Sequence, residues 1–194
     1  MKILTHRELE PKDELLPLMD NSFGWPFNPK MYEKLVKIDP RLRNSPVGFC
    51  AVENGHVVGY VGVMDLASRT LDGSVEYVGG IYGVATLPSH ARKGVSTALM
   101  NRVHEHFRER NYRFSFLCTS HTLVAYAMYQ KLGYSDLLER QSAYKVLNQK
   151  KTKATVKQRS GKLDFDKLLK VYSEFVKGKT GFVVRDKDYL TMLE

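Results

Sequence analysis

The chain has 194 residues, enough for one ordinary domain with a sizeable core and a small appendage. With 43% hydrophobic and 26% charged residues its balance is globular rather than disordered. No apolar run approaches the roughly 20 residues that span a bilayer, and an N-terminus that mixes acids with bases does not read as a secretory signal.

Residues 2–9 read as a first strand. Pro11, Asp13 and Glu14 then open a helix, where the helix dipole favours acids. Leu15, Leu16, Met19 and Phe23 fall at helical spacing, and Pro17 is tolerated because it lies near the start. The turn-rich stretch NSFGWPFNP follows, and a short helix over 30–38 stops at Pro40. Residues 49–52 and 57–66 form a hairpin joined at Asn54-Gly55. A further strand over 74–87 is ended by Pro88. The amphipathic helix over 94–110 carries Val95, Leu99, Val103 and Phe107 on one stripe. A buried strand over 113–118, a helix over 122–132 closed by Gly133, and a last strand over 142–147 complete the pattern. A meander followed by strand, helix, strand, helix, strand predicts an α/β fold, a mixed sheet with helices on both faces.

The net charge of +9 is localised, because residues 149–162 (QKKTKATVKQRSGK) contain no acid. The stretch over 148–162 reads as a solvated basic linker. Beyond it, Phe165, Leu168, Leu169, Tyr172, Phe175 and Val176 form a periodic helix, and a short helix over 187–193 follows. The apolar face of the longer helix suits homo-oligomerisation or docking onto the main domain. Cys50 and Cys118, each in an apolar run, read as buried free thiols. The six histidines show no ligand spacing, and His104 and His106 point to different helix faces, so no metal is expected. These features together indicate a reducing, cytoplasmic setting.

The chemistry lies in residues 83–99. A strand ends at a proline, a short basic loop turns, and a helix starts at Gly94. The amides of residues 94–97 lack intrahelical partners, which makes such a terminus suited to an anion. Arg92 and Lys93 add charge where a pyrophosphate would lie, and Ser96 and Thr97 add hydroxyls. The glycine spacings of a Walker loop and of a dinucleotide fingerprint are both missing. Many strand–loop–helix junctions of this kind bind nothing, and that alternative stays open on the passage alone.

Two motifs carry a resemblance. Residues 91–96, Ala-Arg-Lys-Gly-Val-Ser, resemble motif A of the GNAT superfamily, Gln/Arg-x-x-Gly-x-Gly/Ala, with departures at Ala91 and Ser96. The preceding Val84, Ala85 and Thr86 look like the family strand whose backbone pairs with the pantetheine arm. Thr122, Ala125, Tyr129, Gly133 and Tyr134 resemble motif B, Asn-x-x-Ala-x-x-x-Tyr-x-x-x-Gly-Phe/Tyr, departing only at Thr122. One helix and one strand separate the two motifs, as in the family.

The resemblance implies the GNAT acyl-CoA N-acyltransferase fold over residues 1–147 and acetyl-CoA as co-substrate. Val84, Ala85, Thr86, Arg92, Lys93, Gly94, Val95, Ser96, Thr97 and Thr122 would bind it. The implied reaction is direct acetyl transfer to a primary amine of a small molecule or peptide. Tyr129 would protonate the departing thiolate; without the motif it reads as a packing aromatic. No general base is assigned, because the place where several relatives carry a glutamate holds Gly80, while Glu76 and His121 read as surface residues. A narrower resemblance is to the enhanced-intracellular-survival type acetyltransferases. It rests on Ser22-Phe23-Gly24-Trp25-Pro26-Phe27, whose Phe23, Trp25 and Phe27 would line the acceptor site. It rests also on residues 163–194, which resemble the opening of a second GNAT-like domain. The alternative from another class is a non-catalytic acyl-CoA-binding regulatory module. A nucleic-acid partner held by the linker is not expected.

Overall fold

In the computed structural model, described for residues 1–24, 27–139 and 164–192, a sheet runs in the order β1-β2-β3-β4-β5. The strands are β1 (Lys2–Thr5), β2 (Gly48–Glu53), β3 (His56–Arg69), β4 (Val75–Thr86) and β5 (Ser115–Phe116). The first four pair antiparallel and β4 pairs with β5 in parallel, which is the expected mixed sheet. The helices are α1 (Leu16–Phe23), α2 (Pro29–Ile38), α3 (Val95–Glu109), α4 (Val124–Lys131), α5 (Phe165–Val176) and α6 (Lys187–Thr191). Met1–Cys118 and Phe165–Glu194 form one compact unit, and Thr119–Asp164 forms a second.

Local chemistry explains most boundaries. Asn54 and Gly55 both take left-handed backbone (φ 52° and 86°), which a two-residue turn needs to match the strand twist. Asn28 accepts the Met31 amide at 3.1 Å and so caps α2, with Pro29 in its first turn. The first helix divides into a 3-10 turn over Lys12–Leu15 and then α1. Pro17 thereby falls in the first turn of α1, where its missing N–H is not required. The first strand stops at Thr5 rather than running to residue 9, because the Glu8 carboxylate takes both the Thr5 amide (2.8 Å) and its hydroxyl (2.7 Å).

Alternation along β3 sorts the two faces of the sheet. A Cβ on Gly59 would meet Val95 and Leu99 of α3, whereas Tyr60 packs with Leu15, Leu18 and Met19 from the opposite face. Val95, Leu99, Val103 and Phe107 of α3 are all buried, as their spacing predicts. Gly59 and Gly79 let α3 lie close, since a Cβ on Gly79 would come within 2.5 Å of the Phe107 ring.

β3 is longer than β2, whose first residue Gly48 pairs with Gly62. Its exposed edge is completed by other backbone: Val63 donates to Val47 O (3.0 Å), Asp65 to Arg41 O (2.8 Å) and Arg69 to Phe182 O (3.0 Å). Val184 donates to Ala67 O in turn, at 2.6 Å. The C-terminal segment is thus laid along β3, with Asp188 paired to Arg43 (3.0 Å) and the Tyr189 ring under Arg41 (5.2 Å). Val176 of α5 is buried, and Leu168, Val171 and Phe175 remain exposed.

Two expectations are corrected. The strand over 113–118 is neither long nor buried: only Ser115 and Phe116 pair with β4, and Phe114 and Phe116 are exposed. Cys118 is accordingly exposed, and of the two free thiols Cys50 alone is buried. The strand expected over 142–147, the linker over 148–162, Trp25 and the last two residues lie outside the described residues. Among the described residues, no helix is long and apolar enough to cross a membrane.

Candidate active site

The site begins with a break in β4. The register passes from Gly62↔Tyr82 to Tyr60↔Ala85, so Gly83 and Val84 together face the single residue Val61. Gly83 takes φ 57°, which permits this bulge. The bulge reverses which amides point outward. Ahead of it, the Gly79 amide turns away from β3 and bonds Phe114 O at 2.9 Å, so Ile81 also points away. Beyond it, the Leu87 amide turns toward β3 and bonds Val58 O at 2.9 Å, so Ala85 faces β3 while Val84 and Thr86 face outward. On that outer side β5 pairs only with Gly79 and Gly80. Ile81, Val84 and Thr86 therefore present amides along an edge that no strand of the described residues covers.

The start of α3 adjoins this edge. Thr86 Oγ1 and Ser96 Oγ share a hydrogen bond of 2.7 Å, which ties the end of β4 to the first turn of the helix. The first intrahelical bond runs from the Ala98 amide to Gly94 O (2.9 Å), so the amides of Val95, Ser96 and Thr97 have no partner within the helix. No side chain caps this terminus. Gly94 takes φ 81°, and nothing lies within 4 Å of the Cβ it lacks; backbone conformation, not crowding, is what asks for glycine here. Arg92 is left-handed as well (φ 62°), and Arg92 and Lys93 are both exposed. The loop is pinned on one side, where His90 Nε2 meets Glu53 at 2.8 Å and Nδ1 meets Ser89 Oγ at 2.9 Å. The result is a row of outward amides leading to a positively charged helix start, an arrangement suited to an extended ligand ending in an anion.

Comparison with known proteins decides the family. The family model described as "Acetyltransferase (GNAT) domain" matches residues 9–136, well over half of the chain. The chain belongs to the GNAT acetyltransferases. Solved structures of the GNAT fold resemble it at low identity. One is an aminoglycoside antibiotic 6'-N-acetyltransferase from Acinetobacter haemolyticus (15% identity, TM-score 0.55, 76% of this chain and 100% of that one). Another is a Trypanosoma brucei acetyltransferase (23%, TM-score 0.53, 75% and 97%). A third is glucosamine-6-phosphate N-acetyltransferase from Arabidopsis thaliana (16%, TM-score 0.57, 74% and 97%). No curated protein matches the sequence.

The GNAT domain thus brings Val84, Ala85 and Thr86 together with residues 92–97, although of these three strand residues only Val84 and Thr86 turn amides outward. Ile81, which also does, has no signal of its own in the sequence; the spacing Gly79-Gly80-Ile81-Tyr82-Gly83 is the only trace of it. Phe23 and Phe27 are half-buried against the cluster of Leu9, Leu15, Leu18 and Tyr60, and the Phe27 ring lies 5.4 Å from Tyr32.

Thr122 and Tyr129 belong to the second compact unit. Thr122 precedes α4, its hydroxyl 2.9 Å from Ser120 Oγ. Tyr129 is buried on α4, edge-on to Tyr134 with ring centroids 6.1 Å apart, and burial raises its pKa above the usual 10. His121 is held by Asp136 at 3.2 Å and against the Tyr126 ring at 4.5 Å. Glu76 is bound to Arg113 at 2.6 Å, at the opposite end of β4 from the bulge.

Proposed function

We propose that this N-acetyltransferase takes its acetyl group from acetyl-CoA and delivers it directly to a primary amine. The observation that supports the reading most is the outward row of amides at Ile81, Val84 and Thr86, leading to the uncapped start of α3. Bound acetyl-CoA would supply an activated thioester. The chain's own groups then have distinct tasks. The outward amides of β4 pair with the pantetheine arm, and the one nearest the bulge polarises the thioester carbonyl. The amides of Val95, Ser96 and Thr97, with Arg92 and Lys93, neutralise the pyrophosphate. Tyr129, kept protonated by its raised pKa, donates its proton to the departing thiolate. Thr122 assists in holding the cofactor. Phe23 and Phe27 line the acceptor side, in keeping with the enhanced-intracellular-survival type resemblance. The free thiols fit a reducing, cytoplasmic setting.

The test is release of free CoA thiol from acetyl-CoA with a panel of amines: a polyamine, an aminoglycoside, an amino sugar and a peptide N-terminus. Turnover with one of them is expected. Tyr129→Phe should lower kcat at least tenfold with little change in KM for acetyl-CoA. Joint replacement of Arg92 and Lys93 by alanine should raise that KM. Tight acetyl-CoA binding without turnover for any amine would favour the regulatory module instead.

A further inference from the structure

Three tyrosines from three elements meet beside the β4 bulge. Tyr60 (β3) and Tyr82 (β4) sit on either side of it, since Tyr60 is the partner of Ala85 and Tyr82 the partner of Gly62. Their rings meet edge to face at 6.5 Å. Both donate to one acceptor, Val47 O, at 3.1 and 2.9 Å. Tyr32 of α2 closes the group, 2.6 Å from the Tyr82 hydroxyl and 3.0 Å from that of Tyr60. Proton counting fixes the directions: Tyr60 and Tyr82 spend their protons on Val47, so Tyr32 donates to its nearest neighbour, Tyr82.

The surroundings are shaped for this cluster. A Cβ on Gly62 would come within 2.5 Å of the Tyr82 ring, and one on Gly48 would strike the Tyr60 ring. Val47 is fully buried with φ 67°, a left-handed conformation that a β-branched residue adopts only under constraint. That conformation aims its carbonyl at both tyrosines and at the Val63 amide (3.0 Å). Burial raises the pKa of all three phenols, so they remain hydrogen-bond donors across the working pH range.

We propose that Tyr82, with Tyr60 and Tyr32, is a positioning residue for acetyl transfer: the hydroxyl cluster clamps the bulge at Gly83 from both sides and ties it to Val47 and α2. This rests on the reading that the bulged edge of β4 receives the thioester. A bulge held only by Gly83 would be free to slip, and reacting groups misplaced by about 1 Å lose up to a hundredfold in rate.

Tyr82→Phe tests this, because it keeps the ring over Gly62 and removes only the hydroxyl. With the most active amine of the panel, kcat should fall about tenfold while KM for acetyl-CoA stays within twofold. Amide exchange over residues 81–87 should quicken relative to the rest of β3 and β4. Tyr32→Phe, which deletes the outermost hydroxyl, should move both readouts the same way by about threefold, and it carries the test if Tyr82→Phe does not fold. A folded Tyr82→Phe or Tyr32→Phe with wild-type kcat and wild-type exchange overturns the proposal alone. A wild-type chain that transfers no acetyl group overturns the functional reading and this proposal with it.

Discussion

Gly59→Ala measures how tightly the start of α3 is seated on the sheet. The added methyl would stand 2.6 Å from Val95 Cγ1 and 3.1 Å from Leu99 Cδ1, whereas carbon atoms rest about 3.5–4.0 Å apart. Val95 and Leu99 are 5% and 0% exposed, so neither can swing into solvent. A valine in a helix is also confined to essentially one rotamer. The first turns of α3 must therefore lift by about 1 Å. Overpacking of this kind costs about 1–3 kcal/mol, and alanine recovers about 0.5–1 kcal/mol of glycine's entropy in a strand. The net is a loss of roughly 0.5–2 kcal/mol, which lowers Tm by about 1–8 °C in a chain of this size. Differential scanning calorimetry reads the Tm, and acetyl-CoA KM should rise because the helix start moves with Val95. Adding Val95→Ala should restore about 1 kcal/mol beyond additivity. A Gly59→Ala protein with unchanged Tm, or a double mutant that is merely additive, would refute this account of the packing.

Two further outcomes are expected. Buried His6 has its pKa lowered to about 4, first by desolvation and then by Lys12 and Arg7, while the Glu10 carboxylate pulls the other way. The unfolded chain therefore binds the extra proton first, and stability should drop as pH falls from about 6.5 to 4, by at most about 3 kcal/mol; urea titrations of His6→Gln should lack that slope, and an identical slope in the mutant would disprove it. A thiol reagent at pH 8 should label native protein once, at exposed Cys118, because Cys50 is buried and its pKa is pushed up to about 12; mass spectrometry that finds both thiols modified before unfolding would contradict this.

Much of the fold is legible in the residue order because its causes are local. The stripe of Val95, Leu99, Val103 and Phe107 needs only the helical period, the Asn54-Gly55 hairpin only two left-handed residues, and the α2 start only Asn28 and Pro29. The family is legible for the same reason, since Thr122 to Tyr134 and Ala91 to Ser96 are short motifs whose spacing survives the departures at Ala91, Ser96 and Thr122. Exposure of the 113–118 run is not legible, because its apolar residues say nothing about which neighbours reach them; only Ser115 and Phe116 meet β4.

What the tertiary structure alone decided is long-range in sequence. The outward direction of Val84 and Thr86 depends on the count of residues facing Val61 on another strand, and one extra residue reverses the phase. The free edge of β3 is covered by Phe182 and Val184, more than a hundred residues later. Tyr32, Tyr60 and Tyr82 are scattered and unremarkable until one carbonyl, Val47 O, gathers two of them and Tyr32 joins through Tyr82. A sequence records the periods and turns that each segment prefers by itself. Register and hydroxyl partners follow from how separate segments pack, where one bulge or one left-handed valine changes which groups meet.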